Sequence, residues 1–132
     1  PSDLNITQKL LQYINDNITG ELTAQKVAKE LGISPYYLSH IFSSQLNISF
    51  PSYVAQQRMI LACNLLKDSR KTVTEISYEC GFPNMRTFHR CFQKRYECPP
   101  TQWRERSHKG TDEKIRHQLW NQEKVESENS LE

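Results

Sequence analysis

Apolar positions along the chain recur at helical spacing. Ile6, Leu10, Leu11, Ile14 and Ile18 share one face of a helix over about residues 5–18, and Gly20 follows as a stop. Thr23 can then cap a short helix whose Val27, Ala28 and Leu31 turn inward, and Gly32 supplies the left-handed residue that ends it. Ser34 caps again, with Pro35 at the first helical position, where its missing N–H costs nothing. A short helix, a tight glycine turn and a second capped helix make a helix-turn-helix signature. From Ser49 to Asp68 the apolar positions Phe50, Tyr53, Val54, Leu61, Leu65 and Leu66 keep a helical period. That length is roughly 20 residues, or ~30 Å of connecting helix. Thr72 and Glu75 form a capping box ahead of Val73, Ile76 and Cys80, and Gly81 closes that helix as Gly32 closed the earlier one. Asn84 opens the next helix, with Phe88, Cys91, Phe92 and Tyr96 on its inner side. The Pro99-Pro100 pair stops it and starts a last short helix containing Trp103.

The pattern repeats. Leu38, Phe42 and Tyr53 return as Phe88, Phe92 and Trp103 at an offset of 50, and Gly32 returns as Gly81 at 49, so one residue has been added in the second turn. A period of this size occurs in solenoids, but here only two copies exist, separated by a helix unlike either, and duplicated helix-turn-helix units are the simpler account. The expected fold class is all-α, with about seven helices. A first helix-turn-helix subdomain spans 1–48, a connecting helix 49–68, and a second helix-turn-helix subdomain 69–109. Residues 110–132 are an acidic polar tail, with room for a short helix around 112–124 and disorder expected beyond it. The final Leu131-Glu132 reads as an expression-vector remnant.

Charge sharpens this division. Residues 1–109 carry 14 Lys/Arg against 9 Asp/Glu, whereas residues 110–132 carry 3 against 6. The body is therefore +5 and the tail −3, and the tail reads as a solvated segment rather than a competitor for the basic pole. That pole is residues 84–109, where Arg86, Arg90, Lys94, Arg95, Arg104, Arg106 and Lys109 face only Glu97 and Glu105. A local excess of this kind suits a polyanionic partner. Cys63, Cys80, Cys91 and Cys98 lack CxxC spacing and a signal-peptide pattern, which fits buried thiols in a reduced, cytoplasmic protein. No window approaches the ~18 to 20 apolar residues a membrane span needs.

In a helix-turn-helix the second helix buries one face and offers the other to base edges. Leu38, Ile41 and Phe42 point inward in the first unit, leaving Tyr36, Ser39, His40 and Ser43 outside. In the second, Phe88 and Phe92 point inward, leaving Met85, Arg86, His89, Arg90 and Gln93 outside. Arg86 and Arg90 stand one turn apart, so both can enter one groove and pair with guanine edges. Surface ion pairs or phosphate contacts alone are the plainer reading of either arginine, and Tyr36 packing on its turn is the plainer reading there. His40, His89 and the nearby thiols give no set of four metal ligands, so neither a metal nor a cofactor is expected. No phosphate-binding glycine loop and no nucleophile with a paired base is visible, so the chain does not read as an enzyme. A helix-turn-helix module that binds another protein and no longer reads DNA is the competing account.

Residues from about 5 to 106 resemble the DNA-binding domain of the AraC/XylS family of bacterial transcription regulators. The resemblance is carried by Val27-Ala28, Leu31-Gly32-Ile33-Ser34, Tyr37-Leu38 and Phe42. It continues through Arg58, Ala62 and Leu65-Leu66 to Ile76, Cys80-Gly81-Phe82, Phe88, Phe92 and Pro100 to Trp103. It implies two subdomains whose long helix sets the spacing of two recognition helices along one face of double-stranded DNA. It also implies base contacts from Tyr36, Ser39 and His40 in the first unit and from Met85, Arg86, His89 and Arg90 in the second. RNA polymerase and a regulatory domain of the same full-length protein are the further partners it implies, in an activator's role, with this chain as the C-terminal part. The chain departs from the family where a glycine is usual: Asn47 and Glu97 stand there, and Glu97 implies strain or a different local turn. His40 also replaces a common arginine.

Overall fold

A computed structural model of the chain describes residues 2–108 and Trp120. The tail at 110–132, its expected helix around 112–124 and the Leu131-Glu132 remnant lie outside those residues, apart from Trp120, which is exposed. The described residues are helical, with no strand among them. The elements are α1 (Ser2–Asp16), α2 (Ala24–Leu31), α3 (Pro35–Ile41) running into a π-helical turn (Phe42–Leu46), α4 (Phe50–Asp68), α5 (Val73–Glu79) and α6 (Met85–Tyr96). A last helix, α7, covers residues 100–108.

The capping chemistry read from the sequence sets these boundaries. The side chains of Thr23, Ser34, Ser49, Thr72 and Asn84 each accept from a backbone N–H three residues on, satisfying a donor that the helix start leaves orphaned. Gly32 ends α2 in the left-handed region at φ 70°. Gly81 follows α5 at φ 89°, and the N–H groups of Ile33 and Phe82 return to the carbonyls of Ala28 and Ser77 at 3.0 and 3.1 Å. These two turns are copies, and the extra residue of the second falls at Pro83, between Phe82 and the Asn84 cap. Only α1 ends earlier than its pattern predicts. Asn17 folds its side-chain amide back to the Tyr13 carbonyl at 2.8 Å, closing the helix while Ile18 still packs on the core from the following turn.

Two cores result, sharing no residue. Leu10, Ile14, Val27, Ala28, Leu38, Ile41, Phe42, Phe50 and Val54 form the first, so the N-terminal half of α4 belongs to it. Met59, Ala62, Cys63, Leu66, Ile76, Cys80, Phe82, Phe88, Phe92 and Cys98 form the second around the C-terminal half of the same helix. The repeated aromatics occupy matching positions. Phe42 stands 5.5 Å from Tyr53, and Phe92 stands 6.1 Å from Trp103, ring centre to ring centre. No helix among the described residues is long and apolar enough to cross a membrane.

Candidate nucleic-acid interface

The second helix of each unit is held by its own apolar face. In α3, Leu38 and Ile41 are buried, with Phe42 just beyond; in α6, Phe88 and Phe92 are buried. The opposite faces are open. Tyr36 is 83% exposed at the first turn of α3, and Ser39 and His40 are exposed beside it. On α6, Arg86, His89 and Arg90 are exposed. With that much of its surface open, Tyr36 is not a packing group on the turn.

Met85 behaves differently from the other six candidates. It is half-buried, and the buried Ser77 hydroxyl donates to its sulfur at 2.9 Å, so its side chain turns toward α5. The helical angle explains this: at 100° per residue, Met85 lies closer to Phe92 than to Arg90 around α6. The same arithmetic brings Lys94 into view. Arg86, Arg90 and Lys94 form an i, i+4, i+8 row on the exposed side, so the basic edge runs two turns along the helix. Lys94 was visible as part of the basic pole, and continuing the Arg86–Arg90 spacing by four would have found its place in the row.

Cys91, read from periodicity as inward, is half-buried and lines a groove of about 1060 Å³ that runs between α3 and α6. Tyr36, Ser39, His40 and Ser43 line it from the first unit and Thr87 and Cys91 from the second, with Val54, Ala55 and Arg58 of α4 among its other walls. The open face of α3 and the half-buried Thr87–Cys91 flank of α6 therefore border one concavity, while Arg86, His89 and Arg90 lie outside its walls. Where α6 is α-helical through Tyr96, the matching stretch of the first unit switches at Phe42 to the wider π turn. There the hydroxyls of Ser43 and Ser44 both donate to the His40 carbonyl, at 3.2 and 2.7 Å, and compete with its place in the backbone ladder.

The thiols stand apart from this surface, apart from Cys91. All four cysteines are free, and Cys63, Cys80 and Cys98 are buried. Burial pushes the Cys80 thiol up to about 12, and pushes Cys63 up as well. Cys63 and Cys80 are therefore neutral packing groups. Among the described residues, no group of three His, Cys, Asp or Glu side chains is arranged to hold a metal ion.

Comparison with known proteins agrees with this fold. A family model described as a helix-turn-helix domain matches residues 27–106. The transcriptional regulator YijO of Escherichia coli K12 is 35% identical over 107 residues, covering 81% of this chain and 38% of YijO. The regulatory protein SoxS of the same organism is 29% identical over 105 residues, covering 80% of this chain and 98% of SoxS. The chain thus spans well under half of the one relative and nearly all of the other. Among solved structures, the C-terminal domain of AraT, a response regulator from Geobacillus stearothermophilus, superposes with a TM-score of 0.73 at 32% identity, covering 76% of this chain and 84% of that one. The match spans both helix-turn-helix signatures and reaches the end of the second, so the chain belongs to the AraC/XylS-type helix-turn-helix family of DNA-binding domains of bacterial transcription regulators.

Proposed function

We propose that this domain reads a specific double-stranded DNA sequence with two recognition helices, α3 and α6, entering successive major grooves of one duplex. The observation that carries the reading is the duplicated arrangement: α3 and α6 each bury one face in a separate core and leave the other exposed, with Tyr36, Ser39 and His40 open on the first and Arg86, His89 and Arg90 on the second. Successive major grooves on one side of B-DNA lie about 34 Å apart, so a monomer of this design needs no palindromic site. Its two half-sites differ because its two faces differ. Tyr36, Ser39 and His40 offer a phenol, a hydroxyl and an imidazole. Arg86 and Arg90 offer two guanidinium forks, with His89 beside them, while Met85 turns toward α5 and supports the start of α6 rather than reading bases. Bidentate pairing to guanine O6 and N7 makes the arginines the strongest readers of this set, and Lys94 fits a phosphate contact.

The family relationship supports DNA as the partner, and the partial coverage of YijO supports a regulatory domain in the same full-length protein, with this domain at its C-terminal end as in AraT. RNA polymerase is the further partner we assign to an activator of this type. A duplex pool with randomised sequence, selected at several salt concentrations, tests the reading. The expected result is an enriched site with two unlike elements about one turn apart and a steep loss of affinity with salt. Arg86→Ala and Arg90→Ala should each relax preference at one position of the second element by ~1 to 3 kcal/mol. Recovery of no sequence, with both variants binding as wild type, would overturn the reading in favour of a protein-interaction module.

A further inference from the structure

The cores of the two units are separate, so something besides the continuity of α4 must fix how α3 and α6 face one another. Arg58 projects from the middle of α4 and is half-buried. Its Nε donates to the Ile18 carbonyl at 2.9 Å and its Nη2 to the Gly20 carbonyl at 2.7 Å. Both carbonyls belong to the turn that follows α1, in the first unit. Gly81, from the turn of the second unit, sits against the same place. A Cβ added there would lie 2.9 Å from the Ile18 oxygen, 3.0 Å from the Arg58 Nε and 3.1 Å from the Thr19 oxygen. Two of these neighbours are backbone and the third is the anchored head of the arginine, so nothing in the set yields as a flexible side-chain tip would. Desolvation by this burial also lowers the guanidinium's pKa from its ordinary value, although the group remains charged.

The repeat provides an internal control. An offset of 50 carries Arg58 onto His108, whose Nε2 lies 3.0 Å from the Lys67 carbonyl, and beside it Arg104 donates from Nε to the Leu66 carbonyl at 2.9 Å. In both units, then, a basic side chain from the last helix holds the carbonyls at the end of the opening helix. The second of these staples lies wholly within its own unit. The first has the other unit's glycine pressed onto it.

We infer that the Arg58–Gly81 contact is the positioning device that locks the two helix-turn-helix units at one relative orientation, and so sets the half-site spacing the domain accepts. Arg58 and Gly81 need not touch DNA for this; they act through the angle between α3 and α6. The inference rests on the bipartite reading proposed above only for its consequence in spacing, and the orientation itself can be read without DNA.

The test compares wild type with Arg58→Lys, Gly81→Ala and Arg104→Lys in two measurements. Amide residual dipolar couplings of the free domain report whether both units share one alignment tensor. Affinities for duplexes in which the two selected elements are moved apart or together by one or two base pairs report the accepted spacing, since one base pair turns the second groove by about 35°. Wild type should give one tensor and a spacing profile that falls about tenfold for the first base pair in either direction. Arg58→Lys and Gly81→Ala should give divergent tensors and a flattened or displaced profile, with affinity for a single-element duplex within about twofold of wild type. Arg104→Lys, confined to one unit, should lower thermal stability and leave tensor and profile unchanged. Two tensors in the wild type overturn the inference, as does a single tensor with an unmoved profile in whichever staple variant folds. If instead wild type has one tensor and no spacing preference while the staple variants diverge, the lock stands and the bipartite reading falls.

Discussion

Glu97 ends α6 in the left-handed region at φ 58°, and Asn47 holds the matching place after the π turn at φ 53°. Side chains with a Cβ occupy that region at a cost of about 1 kcal/mol or more, and asparagine tolerates it better than glutamate. The substitution Glu97→Gly should therefore raise the unfolding free energy by up to ~1 kcal/mol, even though glycine makes the unfolded chain more flexible. Asn47→Gly should gain less. Thermal or urea unfolding checks both, and an unchanged or lowered midpoint for Glu97→Gly would mean that the turn relaxes without strain. Gly32 gives the converse case. Its φ is 70° and a Cβ there would meet nothing within 4 Å, so Gly32→Ala should lose about 1 kcal/mol through the backbone alone. At Gly81 the backbone penalty and the close approach to Ile18, Thr19 and Arg58 act together, and its replacement carries a consequence for geometry that Gly32 lacks.

At the scale of the helix, most of what builds this domain was legible from residue type and spacing, because it is local. Capping needs one oxygen three residues ahead of a donor, and Thr23, Ser34, Thr72 and Asn84 announce it. Inner faces follow from a period of 3.6, which is why Leu38, Phe42, Phe88 and Phe92 were identified and are all fully buried. Periodicity fails where a residue sits on the border between faces. Met85 lies partly inward toward Ser77, Cys91 faces the groove, and Met59, Ala62 and Cys63 of α4 are core positions hidden by the change from one unit's core to the other along a single helix. The π turn leaves no sequence mark beyond the two serines that bond the His40 carbonyl. Contacts across some 40 residues, such as Arg58 to Ile18, are legible only through the repeat. Along α6 the row Arg86, Arg90, Lys94 separates two kinds of contact by position. Lys94→Ala should weaken binding to all duplexes alike and reduce the salt slope by about 1, while leaving base preference intact. A change in preferred sequence for that variant would make Lys94 a reader.

The whole molecule gathers neutral, ionisable groups into its two cores, and this sets where in pH it holds together. Desolvation raises the Cys80 thiol to about 12 from an ordinary 9.0, with the Glu79 carboxylate and Cys63 adding to it and Arg58 opposing. Cys63, Tyr53 and Tyr96 are raised too, in each case chiefly by burial. A group that is neutral when protonated and whose folded pKa is raised contributes its full stability below the unfolded pKa and loses it as pH climbs toward the folded one. For Cys80 that window opens at about pH 9 and closes near 12, and while it is open the loss is about 1.4 kcal/mol for each pH unit. Arg58 is shifted in the opposite sense, but a guanidinium stays charged through this range, so the thiols decide the direction. Urea midpoints should accordingly fall steadily above about pH 9, and Cys80→Ala, though less stable at neutrality through a lost buried atom, should fall less steeply. Parallel curves for the two proteins would assign the alkaline loss to the tyrosines and to Cys63 instead. Iodoacetamide supplies the matching kinetic measurement: a buried, neutral thiol resists alkylation until the fold opens, so Cys91 on the groove should be modified well before Cys80, and equal rates at the two would mean that Cys80 is reached without opening.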